Sequence, residues 1–394
     1  MKIWILTNAY LPETGGLVTY TRSLAKTVKN LGYEVEIITS NAKDKRLKKV
    51  EEIEGVKVRR IDFSGIIVPK KIITPLIFYT RIKKELRKID IGKDDLVISR
   101  FYSFQAAVCD VWKGSKNIFI SPLVAEELNK LDKRDTSFLR KIYLSLINPQ
   151  IKYLDKKAFK GALFKGVLSE SKRSEVSKYY HVPLEQIAVI RPGVDTDRFS
   201  IPDKEEKIRI RNLLGYTPKD FVVVCVGRLS SEKNIEQVIK AFKYIKNNTI
   251  KLAIIGEGTL RNVLQKKISD MDLKEQVILY GAKQNVEEFY HMADMFVLVS
   301  RYEGFGHVYL EALSCGLYCI AAKNNPPYCI TASDEILIND KLGKLVDYDS
   351  SQDIANEIIN FSQQKDIYVQ YRHNYIESKY SWNQHYSQIE EVIK

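Results

Sequence analysis

No stretch of this chain approaches the roughly 18 consecutive apolar residues of a spanning helix, so no transmembrane segment is expected. Cysteine is scarce. Cys109, Cys225, Cys315, Cys319 and Cys329 are odd in number and scattered, and the one close pair, Cys315 and Cys319, lacks the partners of a metal site. A disulfide framework is excluded; reduced, buried, intracellular thiols are expected. Histidine is absent before His181, and His181, His291, His307, His373 and His385 make no metal-ligand spacing. The run Ile255-Gly256-Glu257-Gly258-Thr259-Leu260-Arg261 lacks the third glycine of a dinucleotide fingerprint, which argues against a nicotinamide enzyme. Met1–Tyr10 is a short apolar run followed by Pro12 and Glu13, without basic flank or cleavage site. It reads as a first strand, not a signal peptide. Low-complexity segments and short repeats are missing as well.

What is present suits a soluble globular protein of two domains: 394 residues, 45% hydrophobic and 28% charged. Lys2–Thr7, the turn at Gly15-Gly16, the helical spacing of Val18, Leu24, Ala25, Val28 and Leu31, the stop at Gly32 and the β-branched Glu34–Thr39 form one βαβ unit. A second series begins at Phe221–Val226, after a charged stretch from Pro202 to Arg211. Its strands are expected at Leu252–Ile255, Val277–Tyr280, Met295–Val299 and Tyr318–Ala321, with helices between them. Alternation of this kind predicts parallel sheets covered on both faces. The expected fold class is α/β with two Rossmann-like domains facing a cleft. Residues 1–200 and 201–380 form the domains, and a last helix, 381–394, crosses back to the first. Open parallel sheets bind ligands at the carboxyl ends of their strands.

Charge divides unevenly. The first 200 residues hold 38 Lys and Arg against 23 Asp and Glu, a net +15, whereas the rest hold 24 against 26, a net −2. A basic half can attract an anionic substrate or a membrane surface, and solvated surface lysines have the same signature. Within it, Leu76, Tyr79, Ile82, Leu86 and Ile89 recur at helical spacing, with Arg81, Lys83, Lys84, Arg87 and Lys88 between them. Such a helix lies on an anionic membrane or packs on its own sheet.

Two motifs carry chemistry. The run from Ser300 through Glu303, Gly304, Phe305, Gly306, His307, Val308 and Glu311 to Gly316 follows an expected strand and enters a helix. Its glycines let backbone approach a ligand, and the amides of Phe305–Val308 at a helix start suit a phosphate. The carboxylates of Glu303 and Glu311 suit vicinal sugar hydroxyls; a helix cap plus a surface glutamate gives the same pattern. Gly227-Arg228-Leu-Ser-Ser-Glu232-Lys233-Asn234 also follows a strand. Two cations there can neutralise a leaving diphosphate without metal, or be simple surface charges. Gly15-Gly16 could bring amides to the same phosphates.

The order Gly15-Gly16, Ile190-Arg-Pro-Gly193-Val-Asp195-Thr-Asp-Arg198-Phe199, Gly227-Arg228 to Lys233, Gly256-Glu-Gly258, then Glu303 to Glu311 resembles the family 4 retaining glycosyltransferases, which have the GT-B architecture. The resemblance covers nearly the whole chain. It implies that Arg228 and Lys233 bind the donor diphosphate, that Glu303 holds the donor sugar beside the Phe305–Val308 amides, and that Glu311 binds the ribose. Backbone near Ala282–Gln284 would contact the base. Implied too are a nucleotide diphosphate-sugar donor, no metal or other cofactor, and retention by front-face attack. The acceptor, anionic or lipid-linked among the options, would bind the N-terminal half. A cytoplasmic location follows, with peripheral contact at the membrane's inner face through the basic half and no nucleic-acid partner. An epimerase of the same architecture and an inactive nucleotide-sugar-binding subunit are the alternatives.

Two segments depart from the family pattern. Many relatives carry a histidine just after the strand matching Asn117–Ile120, where this chain reads Ser121-Pro-Leu-Val-Ala-Glu-Glu127. Asn324-Asn-Pro-Pro-Tyr328 replaces a frequent glycine-rich turn.

Overall fold

The computed structural model describes residues 1–13, 15–42, 44–63, 74–124 and 138–394, and every count below refers to these. The chain forms two compact units, Met1–Pro192 with Trp382–Lys394, and Gly193–Ser381. The division falls inside the Arg191–Phe199 motif, ahead of the boundary expected at residue 200.

The first unit runs β1 (Lys2–Leu6), α1 (Gly16–Asn30), β2 (Glu34–Ser40), β3 (Val50–Ile53), β4 (Val56–Ile61), α2 (Pro75–Leu86), β5 (Leu96–Ser99), α3 (Tyr102–Val111), β6 (Lys116–Ser121), α4 (Phe138–Gly161), β7 (Phe164–Val167), α5 (Glu170–Tyr180) and β8 (Ile187–Val189). Its sheet has the order β3-β4-β2-β1-β5-β6-β7-β8. All pairings are parallel except β3 with β4. Ile3, Trp4, Ile5 and Leu6 are all buried, as a strand covered on both faces requires. β4 is the strand expected at Val56–Ile61, but β3 and its antiparallel pairing escape the sequence reading. Glu51, Glu52 and Glu54 leave no apolar alternation, because β3 is a charged edge strand turned by Glu54 and Gly55, both at positive φ.

The basic stripe of α2 resolves in favour of the sheet. Tyr79, Ile82 and Leu86 are buried with Ile61, Phe63 and Phe104. Arg81 donates to the Asp62 carbonyl at 2.7 Å, and Lys83 pairs with Asp110 at 2.9 Å. The apolar face of α2 is therefore not available to a membrane.

The second unit runs α6 (Lys204–Leu214), β9 (Phe221–Val226), α7 (Ile235–Phe242), β10 (Ile250–Ile255), α8 (Arg261–Asp270), β11 (Val277–Gly281), α9 (Val286–Met292), β12 (Met295–Leu298), α10 (His307–Ser314), β13 (Tyr318–Ala322), β14 (Gly343–Val346), α11 (Ser351–Ser362) and α12 (Val369–Lys379). Its sheet, β11-β10-β9-β12-β13-β14, is wholly parallel and has the doubly wound order of a Rossmann fold. Val223 of β9 lies opposite Met295 of β12, so the turns that leave these two strands rise side by side where the winding reverses.

The charged stretch before β9 is a capped helix. The Asp203 side chain accepts from the Glu206 amide at 2.7 Å, and Gly215, at φ 81°, ends the helix. Its Arg211 is buried, donates to the Met292 carbonyl at 2.8 Å and pairs with Asp294. Asp294 also takes the Lys207 ammonium and the Val222 amide, each at 2.8 Å.

The last helix, α13 (Trp382–Ile393), packs in the first unit. Tyr20 Oη lies 2.6 Å from His385 Nε2, and His385 Nδ1 lies 2.7 Å from the Arg191 carbonyl, so this buried histidine is structural. All five cysteines are free, Cys109 half-buried and the others buried. Burial pushes the Cys225 thiol up to about 12, which keeps it unreactive. Among the described residues no helix is long and apolar enough to cross a membrane.

Asp294→Ala leaves the buried Arg211 guanidinium with carbonyl partners only. It is expected to lower the stability of the second unit by about 2 kcal/mol, measured by urea unfolding.

Candidate functional site

The turn leaving β9 is shaped by backbone crowding. The Gly227 amide donates to the Ile255 carbonyl at 3.0 Å, and the Leu229 amide to the Glu257 carbonyl at 2.9 Å. A Cβ on Gly256 would stand 1.8 Å from the Gly227 carbonyl oxygen, and one on Gly258 2.2 Å from that of Leu229. The Gly256-Glu-Gly258 pair is therefore a close backbone contact that supports the Arg228 turn. One short turn, Ser231–Lys233, follows and ends at Asn234, in the left-handed region at φ 55°. Asn234 Nδ2 donates to the Val299 carbonyl at 3.1 Å and the Tyr348 carbonyl at 2.5 Å, which ties this turn to the end of β12.

The segment leaving β12 is held from both sides. The Arg301 amide donates to the Glu232 carbonyl at 2.8 Å, the Ile330 amide to the Arg301 carbonyl at 2.8 Å, and the Glu303 amide to the Ile330 carbonyl at 3.0 Å. This lacing brings Glu303 onto Lys233, and the two form an ion pair with side chains 15% and 17% exposed. Burial opposes ionisation of Glu303. The Lys233 ammonium outweighs it, with help from His307 and the Gly304 amide, so the carboxyl titrates below its ordinary range.

Gly306, at φ 101°, turns the chain into α10; a Cβ there would lie 2.5 Å from the Tyr309 ring. Tyr309 is itself fixed through its hydroxyl, which donates to the Leu298 carbonyl at 2.7 Å. The Phe305 side chain is buried against Tyr380, with ring centroids 5.8 Å apart, so this residue can offer a ligand only its backbone. His307 and Val308 are half-buried and open α10. The Tyr309 amide donates to the Gly306 carbonyl at 3.0 Å as α10 begins, and such a helix start suits an anion.

Arg228 and Lys233 do not share a partner. The Arg228 guanidinium, 59% exposed, bonds Glu232 at 2.6 Å, and Glu232, only 2% exposed, also accepts from Ser230 Oγ at 2.6 Å. Glu311 is a third locality. It accepts from the Tyr290 hydroxyl at 2.8 Å, and burial holds its carboxyl above the ordinary value, against the pull of Tyr290 and Arg198. Arg198 bridges Glu287 at 2.7 Å and the Gln284 carbonyl at 3.0 Å. Glu232, Asn234, Tyr290 and Arg198 brace these side chains without being expected to. Arg198, Glu232 and Asn234 stand inside motifs the sequence shows, and for Tyr290 only the fold supplies a signal.

Gly15 and Gly16 lie in the first unit. Gly15 adopts φ 130° and ψ 167°, essentially a glycine-only conformation, and its carbonyl accepts from the Val18 and Thr19 amides at 3.0 Å as α1 begins. Of the Ser121–Glu127 departure, Ala125, Glu126 and Glu127 lie outside the described residues. The Asn324–Tyr328 departure closes on itself: Asn325 and Cys329 exchange amide–carbonyl bonds at 2.8 and 2.9 Å, next to the Ile330 rung that carries Glu303.

Comparison with known proteins covers both units. The family Glyco_transf_4, Glycosyltransferase Family 4, matches residues 14–198, and Glycosyl transferases group 1 matches residues 206–382. An uncharacterized glycosyltransferase of Methanocaldococcus jannaschii is 26% identical over 321 residues, 80% of this chain and 79% of that protein. The alpha-monoglucosyldiacylglycerol synthase of Streptococcus pneumoniae is 26% identical over 377 residues, 91% of this chain and 78% of that protein. Among solved structures, the sucrose-phosphate synthase of Thermosynechococcus elongatus superposes with a TM-score of 0.79 at 16% identity, covering 99% of this chain and 98% of that one. Anabaena HepE, solved with UDP and glucose, superposes at 0.77 and 16% identity over 100% and 99%. With two doubly wound sheets and family matches on each, the chain belongs to the family 4, group 1 glycosyltransferases, of GT-B fold.

Proposed function

We propose that this glycosyltransferase moves a hexose from a nucleotide diphosphate-sugar to an acceptor hydroxyl, with retention at the anomeric carbon and without a metal. The observation that carries the reading is the Lys233–Glu303 ion pair at the reversal of the second sheet. A cation and a carboxylate there match the two ends of the scissile bond, the diphosphate and the sugar. Lys233 and Arg228 stabilise negative charge on the leaving diphosphate, and the α10 amides add partial positive charge. Glu303 accepts hydrogen bonds from the sugar hydroxyls, and Glu311, with Tyr290 and Arg198 around it, takes the ribose. As the anomeric C–O bond breaks, its electron pair goes to the diphosphate. The acceptor oxygen bonds the same face, and its proton passes to a leaving-phosphate oxygen. The chain supplies no nucleophile in this scheme.

A cytoplasmic site of action fits the free thiols. The name of the Streptococcus pneumoniae relative points to a glycerolipid product and supports a lipid-linked acceptor here. The epimerase and binding-subunit readings separate on product: only a transferase needs both donor and acceptor.

Lys233→Ala and Glu303→Ala are each expected to lower donor turnover by about 100-fold or more. Donor consumption by chromatography measures this, and near-normal turnover in both variants would sink the assignment. A thermal-shift screen of nucleotide diphosphate-sugars is expected to find one that stabilises the protein equally with and without chelator; loss of that shift in chelator would overturn metal independence.

The two carboxylates titrate in opposite directions, Glu311 above the ordinary 4.5 and Glu303 below it. As pH falls, Glu311 protonates first, and donor affinity should begin to drop above 4.5. Glu311→Gln should remove that early limb from a calorimetric pH series. The Lys233–Glu303 contribution to stability is present above the unfolded value and is lost only as pH falls through the lowered folded one.

A further inference from the structure

We infer that the first unit binds a small oxyanion, a carboxylate or phosphate group carried by the acceptor, on the buried guanidinium of Arg100. Assigning the anion to an acceptor rests on the transferase reading above; the anion site itself does not. Five lysines and arginines are buried among the described residues: Arg60, Arg100, Lys172, Arg211 and Arg372. Arg60 meets Glu51, Lys172 meets Glu175, Arg211 meets Asp294 and Arg372 meets Asp366. Arg100, 2% exposed, has no carboxylate partner among the described residues. Its guanidinium lies 3.9 Å from the centre of the Tyr20 ring, and Nη1 donates to the Ile120 carbonyl at 2.8 Å. Nε is buried without a partner. Burial pulls the group below its ordinary value, and Tyr20 offsets this only in part. A guanidinium does not shed its proton to escape burial, so its lost hydration has to be replaced by an anion.

The place is that of a ligand. Arg100 directly follows β5, and the winding of the first sheet reverses between β1 and β5. Leu6 stands opposite Ile38 on one side and Ser99 on the other, so Thr39, Thr7 and Arg100 come next as one row on one face. The Thr7 amide donates to the Ile38 carbonyl at 3.0 Å and the Arg100 amide to the Leu6 carbonyl at 2.9 Å, which carries the ladder into that row. The Thr39 hydroxyl, and that of Thr21 in α1, are also buried without a partner among the described residues. Groups of this kind normally find a partner, and three together mark a polar layer that awaits one. The head of α1, about one turn before Tyr20, borders open space: a Cβ on Gly15 or Gly16 meets nothing within 4 Å. A row this deeply buried admits a single small group, and the planar guanidinium edge suits carboxylate or phosphate oxygens.

Titration calorimetry with inorganic phosphate tests the inference. Arg228→Ala with Lys233→Ala serves as the parent, so that the donor cations take no phosphate. One phosphate should bind per chain. Arg100→Met should weaken it by about tenfold or more, and Arg100→Lys by less. Thermal unfolding separates a ligand-binding role from a structural one. In phosphate-free buffer Arg100→Met should be as stable as the parent, because it removes a buried charge that no carboxylate balances, whereas Arg372→Met should melt lower. Phosphate should raise the melting temperature of the parent and leave that of Arg100→Met where it was. Displacement of phosphate by glucose 6-phosphate supports an acceptor-borne group; a site that takes free phosphate and excludes the ester would overturn the acceptor assignment. Phosphate binding that Arg100→Met leaves unchanged, or no phosphate binding at all, would overturn the inference. Stabilisation by a nucleotide diphosphate-sugar is read separately, with Arg228 and Lys233 intact; its absence would sink the donor reading and leave the phosphate result standing.

Discussion

A lysine and a glutamate seventy residues apart meet at one point of the second sheet, and the turns around them are arranged to hold that meeting. Lys233 follows β9 and Glu303 follows β12, strands that are neighbours only because the winding of the sheet reverses between them. Two partly buried charges lose hydration when they pair, so the pair is a poor way to gain stability. It is a good way to hold a cation and a carboxylate in place until a ligand bearing both anionic and hydroxyl groups arrives. In the proposed function such a ligand would give the cation an anionic group and the carboxylate hydroxyl donors, leaving neither unpaired.

That arrangement depends on stiff turns. Two glycines, Gly256 and Gly258, admit the backbone of the Arg228 turn at distances no side chain would permit. Asn234 ties the same turn to the end of β12, and the Glu232 carbonyl and the Ile330 amide grip Arg301. A site whose groups must stand within fractions of an ångström needs this kind of second layer. Glu232 serves it twice, by its carbonyl to Arg301 and by its buried carboxylate to Arg228 and Ser230.

The first unit shows how one sequence pattern can have two outcomes. α2 and α4 both combine apolar spacing with lysines. In α2 the stripe meets the sheet, and Arg81 and Lys83 are engaged by Asp62 and Asp110. In α4 a second stripe remains outside after the first has been buried. Periodicity measures how many apolar faces a helix has; it does not say which face a neighbour covers.

The sequence by itself determined the alternation of strand and helix, the two-domain α/β class and the doubled glycine at the start of α1, because each rests on spacing within a short window; the four charged residues proposed for the donor rest on local spacing of the same kind. It missed β3, whose glutamates belong to an exposed edge, and showed α6 only as a charged stretch although Asp203 and Gly215 cap it. It could weigh Arg228 with Lys233 and Glu303 with Glu311 only as two ambiguous pairs. Tertiary structure re-sorted them into Lys233 with Glu303, Arg228 with Glu232, and Glu311 with Tyr290. The reason is physical: partners across a parallel sheet are chosen by strand order, and strand order is a long-range outcome of packing that no local pattern encodes.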